Sequence, residues 1–167
     1  KKIYTGFVAI AFSFTLNAQI ITTVAGTGTP GFSGDGFAAT SAQIGGAIGI
    51  VVDANGNYFF SDGNNRIRKV DANGIITTIA GTGPAAYGGD GMQATAAQLN
   101  VPAGIALNSQ GDLFIADYQN HRIRKITMST GIITTVVGIG TLGFSGDGNS
   151  ALPVSYTHLT LPTNREV

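Results

Sequence analysis

The sequence predicts an all-β protein assembled from repeated units of four short antiparallel strands. Three motifs support this prediction, because they recur in the same order at steps of 55 to 57 residues. The copies are Ile20–Thr23, Ile75–Thr78 and Ile132–Thr135 for Ile-Ile-Thr-Thr, Gly34–Gly36, Gly89–Gly91 and Gly146–Gly148 for Gly-Asp-Gly, and Arg66–Lys69 and Arg122–Lys125 for Arg-Ile-Arg-Lys. The chain is therefore internally repetitive over most of its length.

Apolar runs alternate with polar turn residues in the first complete unit. The strands predicted there are Ile48–Val52, Tyr58–Ser61, Arg66–Val70 and Ile75–Ala80. The turn at 53–57 contains Asn-Gly, which is a strong hairpin signal. Because side chains alternate between the faces of a strand, Arg66 and Arg68 are expected on one face and Ile67 on the other.

The second unit repeats this pattern after a connection of about 20 residues. Its predicted strands are Gly104–Leu107, Leu113–Ala116, Arg122–Ile126 and Ile132–Val137. Alanine-rich stretches at 38–44 and 93–99 allow one or two helical turns each. Four antiparallel strands per repeat indicate the blades of a β-propeller, although the period exceeds the usual ~40–45 residues of a blade. The predicted fold is a propeller fragment with an N-terminal strand (Ile20–Val24), two blades and the lead-in to a third.

The units resemble NHL repeats of the type found in large secreted bacterial proteins. The resemblance extends from about Ile20 to Leu152 and is carried by Gly104–Leu107, Gly111–Asp117, Asn120–Ile126 and the connection Gly26–Gln43. One departure is a residue missing from unit one between Asp62 and Arg66. The resemblance implies a propeller of typically six blades, whose remaining blades would be partners of the two seen here.

The two ends of the chain differ from the repeats. Two lysines, an apolar run from Gly6 to Leu16 and a small residue at Ala18 are typical of a signal peptide at 1–18, and thus of a secreted, periplasmic or cell-surface protein. Residues 19–153 are expected to form a partial propeller with units at about 20–74, 75–131 and 132–153. From Val154 the repeat register ends and the sequence resembles a translated sequencing adapter, so residues 154–167 are expected to be a non-native tail.

Acidic and aromatic residues that recur in each unit are the candidate binding residues: Asp35, Asp90, Asp147, Phe32, Tyr87 and Phe144. Together they could form one rim that binds a cation or a sugar. The favoured interpretation is structural, with each carboxylate accepting backbone N–H groups in a turn. Asp62 and Asp117, which precede Arg66 and Arg122, are likewise expected to be turn and ion-pair residues of the hairpin between the second and third strands.

Composition excludes several classes of function. The 167-residue chain has no cysteine, which excludes disulfides, thiolate metal sites and a cysteine nucleophile. Residues 19–153 carry six basic and eight acidic residues, a net charge of −2, which argues against nucleic-acid binding. The segment 53–57 has only a weak likeness to a calcium loop, and His121 is the single histidine of the repeats, at a turn where unit one has Asn65.

No catalytic residue, metal or cofactor is therefore predicted. The function expected is that of an exported, non-catalytic scaffold that binds protein, peptide or glycan, with no membrane span in the mature chain. The alternative is a propeller enzyme, of a metal-dependent lyase or hydrolase type, whose active site lies in further blades. Fold analogy alone cannot separate the two.

Overall fold

The computed structural model describes residues 20–143. The predicted signal peptide, the segment after Gly143 that would lead into a third blade, and the predicted tail at 154–167 lie outside the described residues. Within 20–143, no helix is long and apolar enough to cross a membrane.

Two four-stranded antiparallel sheets make up the described part of the chain, each with its strands in sequence order. The first contains β1 (Ala47–Val52), β2 (Tyr58–Asp62), β3 (Arg66–Val70) and β4 (Ile76–Ala80). The second contains β5 (Pro102–Leu107), β6 (Leu113–Asp117), β7 (Arg122–Thr127) and β8 (Ile132–Val137). The predicted all-β class and both blades are confirmed, with strand ends that differ from the predicted ones by at most two residues.

The register of the first sheet places the repeated basic residues. Phe60 lies opposite Arg68 and Phe59 opposite Lys69 in the β2–β3 ladder. Irregular pairing interrupts β1 between Ala47 and Ile50, and the matching position of β5 shows the same interruption. The two blades therefore share the same irregularity in the pairing of their first two strands.

An apolar core lies between the two blades. It joins Phe59 and Ile67 of the first sheet to Leu113, Ile115 and Ile133 of the second. Burying large aliphatic and aromatic side chains contributes roughly 1.5–3 kcal/mol each. This core is therefore the main source of cohesion between the sheets.

A close backbone approach also joins the inner strands β1 and β5. A Cβ atom at Gly49 would lie 2.5 Å from the carbonyl oxygen of Ala103, so only glycine fits there. The hydroxyl of Ser61 accepts from the Gly49 amide at 2.8 Å and donates to the Ala103 carbonyl at 2.6 Å. One side chain thus bridges the two blades.

Equivalent strand positions differ in exposure because, within residues 20–143, a neighbouring blade covers only one face of the first blade. Ile105 of β5 is 9% exposed, since the first blade packs against it, whereas Ile50 of β1 is 60% exposed. A smaller cluster, built on Phe60, Val70 and Ile76, lies on the same side as Ile50.

Each long connection runs alongside the last strand of its own blade, β4 in the first blade and β8 in the second. Each contains one short 3-10 turn, Ala39–Ser41 or Ala94–Ala96, in place of the one or two helical turns expected. The amides of Gly36 and Gly91 donate to the carbonyls of Ile76 and Ile133. The outer edge of each sheet is therefore partly covered by its own connection.

The segment Ile20–Val24, which is predicted to be a strand that joins the last blade of a complete propeller, forms no strand in this structure. A strand needs a hydrogen-bonded neighbour, and no strand within 20–143 pairs with this segment.

One residue of the length difference between units is absorbed in the turn after β6, where Tyr118–Asn120 forms a 3-10 turn, and the other in the turn between β7 and β8. Asn65 and His121 both follow in the left-handed region, with φ of 57° and 51°.

Candidate functional site: arginine clusters and a groove between the blades

The predicted binding residues lie in the long connections, where they meet arginines of β3 and β7. Phe32 and Asp35 belong to the connection before the first blade, and Tyr87 and Asp90 to the one before the second. Phe144 and Asp147 lie outside the described residues. The structure therefore shows two copies of one arrangement, termed here the arginine clusters.

Arg68 is the centre of the first arginine cluster, and its side chain is fully buried. One terminal nitrogen, Nη2, lies 2.8 Å from Oδ1 of Asp35 and donates to the Ser33 carbonyl at 3.0 Å. The other, Nη1, lies 3.3 Å from Oδ2 of Asp62, which is also buried. Asp62 in turn accepts from the Gly45 amide at 2.8 Å, so one cation links the connection, the hairpin and the approach to β1.

Arg124 repeats this geometry in the second cluster. Its Nη2 lies 2.6 Å from Oδ1 of Asp90 and donates to the Gly88 carbonyl at 3.1 Å, and its Nη1 lies 3.3 Å from Oδ2 of Asp117. Asp117 accepts from the Asn100 amide at 2.8 Å. The Nε atoms of Arg68 and Arg124 are buried with no hydrogen-bond partner in the described part of the chain. One N–H group of each buried guanidinium therefore has no acceptor there.

Each cluster is covered by an aromatic ring. Arg66 stacks on Phe32 at 3.6 Å from the ring centroid, and Arg122 stacks on Tyr87 at 3.7 Å. The guanidinium carbons of the buried arginines lie about 5 Å from the same rings, at 4.9 and 5.0 Å. Both arginines of β3 thus contact one ring, which agrees with their expected common face.

The carboxylates have different partners from those expected. Asp35 and Asp90 pair with buried arginines, whereas the sequence indicated backbone N–H groups as their partners. Asp62 and Asp117 pair with the second arginine of each motif. The first arginine donates to main-chain carbonyls instead, with Arg66 reaching those of Asn64 and Thr82. A fully buried cation requires charged partners more than an exposed one does, which accounts for this choice.

The pKa values of Asp117 and Asp90 are shifted in opposite directions. Burial raises the pKa of Asp117 above its usual range, and hydrogen bonds from Asn120 and Asn100 and the charge of Arg124 oppose the rise only in part. Burial also acts to raise the pKa of Asp90, but hydrogen bonds from Thr135 and Tyr87 and the charge of Arg124 outweigh it, so that pKa is lowered.

The clusters differ in one hydroxyl group. Tyr87 Oη donates to Oδ2 of Asp90 at 2.9 Å and lies 3.3 Å from Oγ1 of Thr135. Phe32 occupies the matching position of the first cluster and has no hydroxyl. The hydroxyl of Thr78, which matches Thr135, is buried with no hydrogen-bond partner among residues 20–143.

A second feature, termed here the interblade groove, lies at the opposite ends of the strands. It has a volume of about 570 Å³ and is bounded by the β1–β2 turn of the first blade and the β5–β6 turn of the second. The polar side chains that line it are Asp53, Asn55, Asn57, Lys69, Asn108, Ser109 and Gln110. Val52, Phe59, Leu107 and Met128 add apolar surface.

The two turns that bound the groove have the same backbone but opposite order of acid and amide. Asp53 Oδ1 accepts from the amides of Asn55 and Asn57, each at 2.9 Å. Asn108 Oδ1 accepts from the amides of Gln110 and Asp112 at 3.0 and 2.8 Å. The turn therefore forms equally with Asp or Asn at its first position.

The weak calcium likeness of residues 53–57 is explained by this turn, since the Asp53 carboxylate is hydrogen-bonded by the turn itself. In the part of the chain that the structure describes, no three acidic or histidine side chains come together to hold a metal. His121 occupies the left-handed turn position that Asn65 has in unit one.

Sequence reasoning missed the groove and underrated the buried arginines. The signal for the groove was present as Asp53…Asn57 against Asn108…Asp112, a reversal between otherwise equivalent repeats. The signal for the arginines was the identical second arginine of both motifs. Without the strand register, neither signal shows which side chains come into contact.

Two packed four-stranded antiparallel sheets, each with its strands in sequence order, are blades of the β-propeller type. Two stretches of the chain, residues 13–87 and 83–167, match the profile of the Teneurin NHL domain. The chain belongs to this family. The second match includes residues 154–167, so it does not set them apart from the repeats, and the adapter interpretation stays a prediction.

Curated relatives agree with this assignment. The chain is 36% identical over 103 residues to NHL repeat-containing protein 2 of Gallus gallus, covering 60% of this chain and 14% of that protein. It is 34% identical over 125 residues to Teneurin-1 of Gallus gallus, covering 67% of this chain and 4% of that protein. The chain thus spans a small part of these relatives, and both come from an animal, so the bacterial origin stays a prediction.

A solved structure supports the fold alone. A protein of unknown function from Bacteroides thetaiotaomicron aligns with a TM-score of 0.57 at 20% identity, over 64% of this chain and 27% of that one.

The difference of one hydroxyl between the clusters gives a matched pair of variants. Phe32→Tyr should stabilise the protein by about 0.5–1.5 kcal/mol, because the new hydroxyl reaches Thr78 and Asp35. Tyr87→Phe should destabilise it by a similar amount, since it removes the hydrogen bond that Tyr87 donates to Asp90. Urea denaturation monitored by circular dichroism measures both, and a Phe32→Tyr variant no more stable than the parent would contradict this assignment.

The lowered pKa of Asp90 predicts how its ion pair responds to acid. A depressed carboxyl pKa contributes stability above its unfolded value, 3.8, and loses it as pH falls through the folded value. The parent should exceed Asp90→Asn in stability by about 1 kcal/mol at neutral pH, a modest figure because the aspartate is partly exposed. The difference should shrink below about pH 4.

Thermal melts of both proteins across this pH range provide the measurement. A gap that stays constant into acid would show that the Asp90 charge contributes nothing.

Proposed function

We propose that the chain is a non-catalytic binding scaffold for protein, peptide or glycan, and that the interblade groove is its contact surface. The observation that carries this proposal is the mixed polar and apolar lining of a groove of about 570 Å³, contributed by side chains of both blades. Ligand sites commonly have volumes of ~300–1,000 Å³ and a few converging polar groups.

The groove is a better candidate than the two other surfaces. The carboxylates of the arginine clusters are already paired with arginine, and one face of each aromatic ring is covered. A hollow of about 530 Å³ beside Gly26–Pro30 is lined mainly by glycine and threonine of a single connection. The groove combines side-chain amides, one ammonium and one carboxylate with walls held by two packed sheets.

Export is part of the same proposal. The lysine pair, the apolar run and Ala18 support a secreted, periplasmic or cell-surface location. The mass of the exported chain tests it, since cleavage after Ala18 would leave Gln19 as the first residue.

Blocking the groove should weaken binding without disturbing the fold. Ser109 is exposed at the groove, so Ser109→Trp fills it without entering the core. The full chain is applied to a glycan array and to a displayed heptapeptide library, and the binders selected are tested against the variant. We expect a loss of at least about tenfold in affinity, as removal of a contact surface requires.

The matched control is Ala72→Trp, an exposed turn position at the same end of the strands but outside the groove lining. Binders that tolerate Ser109→Trp would place the contact surface elsewhere and contradict the proposal. Mass spectrometry of each binder after incubation separates binding from turnover, and a cleaved or rearranged binder would favour the propeller-enzyme alternative.

A further inference from the structure

Lys69 breaks the symmetry of the two blades within the groove. Its counterpart Lys125 lies 3.5 Å from Oδ2 of Asp112. Blade one has Asn57 where blade two has Asp112, and no carboxylate in residues 20–143 comes within 4.0 Å of the Lys69 ammonium. That ammonium lies 5.9 Å from the ring centroid of Phe59, and the half-buried Lys69 is part of the groove lining.

The reversal is not required by the turn. Asn108 builds the second turn as well as Asp53 builds the first, through equivalent pairs of hydrogen bonds. An acid at the last turn position would neutralise Lys69, as Asp112 neutralises Lys125. The order found in blade one therefore leaves an ammonium with donors that face the groove.

The charges around the groove restrict what it accepts. Burial acts to raise the pKa of Asp53, but hydrogen bonds from Asn57 and Asn55 and the charge of Lys69 lower it, so this carboxylate stays ionised. It opposes an anionic ligand, and Lys69 opposes a cationic one. The amides of Asn55, Asn108 and Gln110 supply neutral donors and acceptors beside them.

We infer that the interblade groove binds a neutral saccharide, with Lys69 donating hydrogen bonds to its hydroxyl oxygens. This inference rests on the proposed binding function and names its ligand class. Many hydroxyl groups on one small ligand match a lining of amides, one ammonium and one carboxylate, which together donate and accept. The volume of about 570 Å³ is sufficient for a disaccharide.

A peptide is a poorer match to the same walls. Peptides commonly bind by adding a strand to a free sheet edge or by docking proline on exposed aromatic rings. The groove is bounded by turns whose main-chain amides already bond internally, such as Gly56 to Asp53 and Gly111 to Asn108. Phe59, the aromatic residue of the lining, is 2% exposed.

The test uses the full chain and three variants. Saturation-transfer NMR and calorimetry measure binding of the neutral probes cellobiose, maltose and N,N′-diacetylchitobiose, of digalacturonate as acidic probe, and of trialanine as peptide probe. Lys69→Met removes the donor. The double variant Asp53→Asn with Asn57→Asp keeps the composition and copies the order of amide and acid found in blade two. A carboxylate at position 57 can then pair with Lys69, as Asp112 pairs with Lys125. Lys125→Met is the matched control.

We expect at least one neutral disaccharide to bind, with affinity about tenfold weaker in both groove variants and unchanged in Lys125→Met. Unchanged circular dichroism shows that each variant folds. If the double variant does not fold, Lys69→Met alone decides the result.

Tighter binding of digalacturonate or trialanine than of the neutral disaccharides overturns the saccharide inference but leaves the scaffold function standing. A loss of affinity in Lys125→Met equal to that in Lys69→Met has the same consequence. Failure of every probe to bind overturns both.

Discussion

The buried guanidinium groups of Arg68 and Arg124 are the constraint on which the rest of the structure depends. A cation without solvent exposure is stable only with charged and hydrogen-bonded partners, and each of these arginines has two carboxylates and at least one main-chain carbonyl. Those partners come from the connection, from the end of the second strand and, through Asp62 and Asp117, from the approach to the inner strand. One side chain per blade therefore determines where the long connection lies.

Because the arginine clusters hold one end of the strands, the turns at the other end are free to differ. The aspartate at the end of each second strand is buried in a cluster, whereas the first residue of that strand follows the turn beside the groove. The two groove turns keep one backbone and exchange acid for amide. The repeated residues of the arginine clusters thus stabilise each blade. Lys69, whose pairing differs from that of its counterpart Lys125, lies in the surface proposed for binding.

Much of the fold was predictable because the three motifs recur in register and period-2 patterns locate strands without an alignment. The two antiparallel blades, the common face of Arg66 and Arg68 and the turn position of His121 follow from that pattern. The partners of Asp35 and Asp90 did not, because an Asp between glycines has the same local signal whether it accepts amides or meets an arginine 33 or 34 residues away. The groove, formed by turns 55 residues apart, was likewise invisible until both blades were packed.

Hydrogen exchange in one double variant tests most directly whether the buried arginine fastens its connection. Replacing Arg124 by Met and Asp117 by Asn removes the central pair without leaving a buried charge. The amides of Gly91 and Ala94, which bond to Ile133 and Gly131, should lose protection, while Gly36 and Ala39 in the intact first blade keep theirs. Protection that is retained in both connections, or lost equally in both, would contradict the account.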